Sequence, residues 1–172
     1  MKEIDLNSGN EVLLKSALSR TDHLPKYEKK PQVFRYAKPD MKDRPRAISR
    51  LFTSDLMCGL IQVITKGGET TMHSHAGMDG LWMVLSGKAR FYGDGNVVLG
   101  EFGPLEGVYI PRDVKYWFES ASEEPLQILQ VEGFARDREN TYSAYGKTPA
   151  EDELERQSKL IRFMDARENS DA

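Results

Sequence analysis

The chain has one cysteine, Cys58, among 172 residues, so no disulfide can close within it. Set in the run LMCGLIQVI, that cysteine reads as a small buried hydrophobe in a strand, without a catalytic role. A charge excess of either sign is also missing. The 24 Lys and Arg against 27 Asp and Glu leave a formal charge of −3 and a pI of about 5.7. Such a balance provides no general attraction to phosphate backbones or anionic lipid, so neither nucleic acid nor a membrane is an expected partner. No stretch reaches the roughly 18 apolar residues of a membrane span, and the charged segment Met1 to Asn10 lacks the apolar run of a signal peptide. These absences predict a cytoplasmic protein. The 39% hydrophobic content suffices for the core of one compact domain. Histidine is scarce too: there are three, and two of them stand two residues apart.

Three regions are distinguishable along the chain. Residues 1–50 are polar and broken by Pro25, Pro31, Pro39 and Pro45, with VLLKSAL at 12–18 as a short amphipathic helix, and they read as an arm wrapped on a core. From Leu56 onward the pattern becomes short β-rich runs closed by glycine or turn clusters: LMCGLIQVI, LWMVLSG, ARFYG, VYIP, YWF and LQILQVEGF. Closely spaced strands of this kind predict an all-β sandwich or barrel over 51–135. Asp94-Gly95-Asn96 supplies the positive backbone dihedrals of a tight hairpin between the strands around Phe91 and Val97. No helix of ten residues or more is predicted between Leu51 and Gly133, which disfavours parallel β-α-β architectures. Residues 136–172 form an extension. There Thr148-Pro149-Ala150-Glu151 carries a helix start signal, and Leu154, Leu160, Ile161 and Met164 predict an amphipathic helix over about 149–165.

Chemistry concentrates in Gly67-Gly68-Glu69-Thr70-Thr71-Met72-His73-Ser74-His75, followed by Ala76-Gly77-Met78-Asp79-Gly80 and then LWMVLSG ending at Gly87. Because side chains alternate along a strand, His73 and His75 project to the same side, and two converging imidazoles are half of a metal site. On that phase Gln62, Trp82, Val84, Tyr116 and Gln130 are candidates to line a pocket suited to a small organic ligand. Arg90 and Arg112 could hold a substrate carboxylate, against the plainer reading of solvated surface charges. His23 is either a third imidazole, if the arm crosses the barrel mouth, or an exposed loop histidine, the favoured reading.

In these residues the sequence resembles the cupin superfamily, whose first motif reads G-x5-H-x-H-x3,4-E-x6-G; Gly67, His73, His75 and Gly87 match it at the right intervals. Gly80 stands where the motif has its glutamate, with Asp79 just before it. The second motif, G-x5-P-x-G-x2-H-x3-N, is similar to the segment from Gly107 to Ser120 only in part. Pro111 matches, while Asp113, Tyr116 and Ser120 replace the glycine, histidine and asparagine. The resemblance covers residues 56 to 133 and implies a cupin-type double-stranded β-helix, or jelly-roll barrel. It further implies a divalent transition metal (Zn, Fe, Mn, Ni or Cu), with His73, His75, Asp79 and Tyr116 as candidate ligands. Asp79 reaches the site only if the backbone bulges near Gly77 or Gly80; plain alternation turns it outward. Tyr116 serves either as a metal-bound phenolate or, less demandingly, as a catalytic hydrogen-bond donor or acid.

Two functional readings follow. One is a metal-dependent enzyme acting on a small organic molecule, of oxygenase, isomerase, cyclase or lyase type. The other is a non-catalytic binding or sensing barrel that has lost part of its metal site. A metal-free sugar epimerase is a weaker third. The resemblance also implies a homodimer.

Overall fold

The computed structural model of the chain describes residues 2–4, 30–138, 140–145 and 161–167. The expected helix at 12–18, His23, and the segment 149–160 with Leu154 and Leu160 lie outside the described residues. The elements in chain order are β1 (Lys2–Ile4), β2 (Arg46–Thr53), β3 (Met57–Ile64), β4 (His73–His75) and β5 (Met78–Ser86), then β6 (Ala89–Gly93), β7 (Val98–Phe102) and β8 (Gly107–Ile110). They end with β9 (Tyr116–Ser120), β10 (Leu126–Phe134), β11 (Tyr142–Ala144) and β12 (Ile161–Asp165). A seven-stranded sheet runs β1-β12-β2-β3-β10-β5-β8, and a five-stranded sheet runs β11-β4-β9-β6-β7. Among the described strands, all pairings are antiparallel except β12 with β2. The protein is all-β, as the strand pattern predicts, and its two sheets form the jelly-roll barrel that the resemblance implies. Among the described residues, no helix is long and apolar enough to cross a membrane.

Strand alternation builds the core. Along β10, Leu126, Ile128, Gln130 and Glu132 are buried while Gln127, Leu129 and Val131 are half-buried. Ile64, Trp82, Leu126 and Ile128 of the larger sheet meet Phe91, Tyr116 and Phe118 of the smaller one between the sheets. Phe91 and Phe118 are cross-strand partners whose rings stack at 4.6 Å, a pairing that stabilises beyond its area by about 0.5–1.5 kcal/mol. β3 is buried on both faces because Tyr36 and Phe52 cover its outer side over Leu51 and Ile61. That double coverage is why LMCGLIQVI reads as nearly continuous apolar sequence.

The predicted hairpin joins β6 to β7 through a short 3-10 turn, with Gly95 and Asn96 at φ 68° and 60°. At the end of β5, Gly87 takes φ 76°, and a Cβ there would lie 3.0 Å from the Leu126 backbone. Its place in the motif therefore follows from the turn.

One expectation is corrected. The end of the helix predicted over 149–165 is instead strand β12, paired in parallel with β2. Ile161 and Phe163 are buried and Arg162 and Met164 less so, which is period two. The spacing that suggested a helix gives way to pairing with a sheet edge far away in sequence.

Candidate functional site

β4 places both imidazoles on the inner face of the smaller sheet, their ring centroids 5.2 Å apart and nearly perpendicular. His73 donates its Nδ1 hydrogen to the Thr71 carbonyl at 2.7 Å, since a carbonyl can only accept, and its Nε2 therefore carries the lone pair. Burial lowers its pKa to about 4, helped by the nearby Arg46 charge and opposed by the Thr71 bond. Burial, then the neighbouring His73, lowers His75 to about 3, and its buried Nδ1 has no hydrogen-bond partner among the described residues. Both rings are neutral at pH 7.

Aromatic rings enclose the pair. Tyr116 is the register partner of His73, with ring centroids 4.3 Å apart. Tyr142 of β11 stacks on His73 at 5.1 Å and meets His75 edge-on at 5.5 Å. Tyr116 also contacts Trp82 at 4.9 Å. Burial first, and the Glu132 charge second, push the Tyr116 phenol well above its ordinary value, so it stays protonated.

The opposite wall is polar and directional. Arg46 Nε donates to Gln62 Oε1 at 2.9 Å, Gln62 Nε2 to Gln130 Oε1, and Gln130 Nε2 to Glu132 Oε1. Cys58 Sγ donates to the other Glu132 oxygen at 3.1 Å. Each step points from a guanidinium toward a carboxylate. Burial raises Glu132 to about 7, against the lowering effects of Cys58, Gln130 and the Arg50 charge. The Cys58 thiol is itself pushed well up, by burial and then by Glu132, so it remains an S–H donor.

The structure brings His73, His75, Tyr116, Trp82, Gln62 and Gln130 around one cavity of about 20 Å³, with Glu132 and Arg46. That is about the room of a single water, so what reaches the wall is one functional group of a ligand. Val84 does not line this cavity; it is fully buried in the hydrophobic core. Asp79 is not brought in either. It accepts from the Arg112 backbone at 2.9 Å and pairs with the Arg112 guanidinium at 3.8 Å, its side chain 37% exposed. The β5–β10 register is unbroken around position 79, so no bulge rescues it and simple alternation turns it outward. Arg90 is paired on the surface with Glu101 at 2.7 Å, and Arg112 also with Asp137 at 3.2 Å. Reasoning from the motif missed Glu132, Cys58, Arg46 and Tyr142. Glu132 had a signal: in LQILQVEGF it shares the inward phase of Ile128 and Gln130.

The donor set does not fit the metal centre that the motif implies. Position 80 has no side chain, and a Cβ there would lie 2.2 Å from Trp82 Cη2, so the indole occupies the space of the expected carboxylate. Asp79 faces away, and burial pushes the Tyr116 phenol well above its ordinary value. Among the described residues no three His, Cys, Asp or Glu side chains gather as a ligand set. Two neutral imidazoles remain.

Two sheets face each other across the cavity, with the HxH strand β4 turned toward it. Residues 60–132 match the family described as Cupin domain. Its fold is similar to that of an uncharacterized conserved protein with a double-stranded β-helix domain from Klebsiella pneumoniae. That match has a TM-score of 0.53 at 16% identity, over 63% of this chain and 84% of that one. It is also similar to KdgF from Halomonas sp., with a TM-score of 0.53 at 14% identity over 63% of this chain and 97% of that one. No curated protein matches the sequence. At these identities the likeness is one of fold.

Proposed function

We propose that this cupin binds a small organic molecule in its barrel and acts on it directly, by hydrogen bonding and proton transfer, with no resident metal. One observation carries the reading. Burial holds His73 and His75 neutral, and the Thr71 carbonyl fixes His73 with an accepting Nε2, while the carboxylate position of a metal site is filled by Trp82. A pair of neutral imidazoles beside a phenol, two amides and a carboxyl is a hydrogen-bonding surface for a polar group. A second reading, a divalent ion held by His73 and His75, is favoured by the Nδ1 of His75, which has no partner among the described residues, and by the neutral state that ligation requires.

Metal analysis separates them. After exposure to Zn, Fe, Mn, Ni and Cu and then desalting, the wild-type protein is expected to retain no more metal than a His73→Ala/His75→Ala variant. Retention of one ion per chain by the wild type alone would replace the first reading with the second. Ligand-detected NMR against a panel of small polar metabolites tests the pocket itself. Binding that disappears in the double variant supports it, and an absence of any bound compound counts against it.

A further inference from the structure

The register carries a consequence for the missing acid. Gly80, at the motif's glutamate position, lies on β5 directly opposite Glu132 on β10, and Glu132 lies opposite Cys58 on β3. Facing residues of adjacent strands share a sheet face, so a carboxyl lost at 80 has a counterpart one strand over, inside the same cavity. We infer that Glu132 is the proton-transfer residue of this cavity, and that the chemistry it serves is a proton shift beside a carbonyl group. The inference rests on the metal-independent reading above.

Geometry supports the assignment in three ways. Glu132 lines the cavity with His73, His75 and Tyr116 and is 5% exposed. Its two oxygens are each oriented by one donor, Gln130 Nε2 and Cys58 Sγ, which leaves lone pairs on both for a ligand proton. The amide chain from Arg46 ends on it, so its position is fixed through three strands. Among the described residues, the titratable or charged groups around it are Cys58 of β3, Arg46 and Arg50 of β2, Tyr116 of β9 and the two histidines of β4. None of these competes as a base near neutral pH. Cys58 and Tyr116 are held protonated, Arg46 and Arg50 are cations, and the imidazoles are too weakly basic. A carboxyl poised near the working pH is the efficient choice.

On the metal-independent reading, the wall offers acids, bases and hydrogen bonds, which suffice for isomerisation or epimerisation. A carboxylate oxygen of Glu132 removes a proton from the carbon next to a carbonyl. The C–H bond breaks, an O–H bond forms, and the electron pair passes through the new C=C bond to leave charge on the carbonyl oxygen. A neutral phenol such as Tyr116 is the donor suited to that oxygen. Return of the proton to the same or the adjacent carbon completes the reaction with no oxidant or reductant.

The test follows deuterium exchange by proton NMR, with pyruvate, hydroxyacetone and dihydroxyacetone as probes in D2O. Enzyme-dependent exchange is expected with at least one probe, rising with pH through about 7. Glu132→Gln should lower it by at least ~100-fold, and Tyr116→Phe by less with the midpoint kept. Cys58→Ala keeps the carboxyl but removes a donor to its ionised form, so it should move the midpoint upward. An independent readout is Trp82 emission in a Trp117→Phe background, where Trp82 is the sole tryptophan; its pH transition should vanish in Glu132→Gln. Exchange unchanged in Glu132→Gln, a midpoint unmoved by Cys58→Ala, or no exchange with any probe would overturn the inference. Ligand binding lost in the double-histidine variant would leave the pocket reading intact in each of those cases.

Discussion

Acidification from pH 7 to pH 3 is expected to destabilise the fold steeply, with the two cavity histidines as the main cause. Unfolded histidine has a pKa near 6.5, while burial holds His73 at about 4 and His75 at about 3. The sign follows from proton uptake: between those values the unfolded chain binds protons that the folded chain excludes, so stability rises with pH there. The contribution is complete above the unfolded value and is lost as pH falls through 6.5 toward the folded ones. For His73 alone the difference corresponds to about 3 kcal/mol, a large share of a typical domain's stability. Glu132 acts in the opposite direction. Its folded pKa of about 7 lies above the ordinary carboxyl value of 4.5, so its contribution is present below 4.5 and is lost as pH rises through about 7. Urea unfolding measured from pH 8 to pH 3 should therefore show a shallow slope from 6.5 to 4.5, where the effects oppose, and a steeper loss below 4.5. Glu132→Gln should remove the opposition and steepen the upper segment, whereas His73→Gln/His75→Gln should flatten the lower one. An acid limb unchanged in that double variant would show that the histidines are not its source.

The barrel was legible because its information is local. Alternating runs, turn residues and the spacing of His73 and His75 each constrain a few neighbouring backbone dihedrals, and antiparallel strands close together in sequence realise them. The outward turn of Asp79 followed from the same alternation once no bulge intervened. Strand β12 was not legible, because Ile161 to Asp165 adopt period two only by pairing with β2, from the other end of the chain. Glu132 lay in between: its inward phase could be read beside Gln130, but its meaning depends on the strand pairing that sets it opposite Gly80. Cys58 was read correctly as buried; its role as a donor to Glu132 needed that same cross-strand register. The filling of the Gly80 space by Trp82 depends on a rotamer, and no spacing rule reaches that far.

That filling predicts how a metal site could be regained. Gly80 and Trp82 lie two apart on β5 and project to the same face, and a Cβ at 80 would sit 2.2 and 2.3 Å from two atoms of the indole. Gly80→Glu alone forces the ring to move and should cost about 1–3 kcal/mol, the usual penalty of overpacking. Trp82→Ala alone empties a site that is 1% exposed and should cost about 3–5 kcal/mol. Combined, each change relieves the other: the new side chain occupies part of the vacated volume, so the double variant should be more stable than the sum of the single losses. Its carboxylate would then project toward His73 and His75, giving two imidazoles and one carboxylate, a ligand set that binds divalent metals with open positions. The expected result is a change from no metal retained to one ion per chain, read by Zn competition and by the visible band of bound Co. Glu132 directly opposite adds a second negative charge, which raises the cost of the ion-free state. Glu132→Gln in the double variant should therefore stabilise the ion-free protein while keeping the ion. A folded Gly80→Glu/Trp82→Ala protein that takes up no more metal than wild type would show that the indole is not what excludes the third ligand.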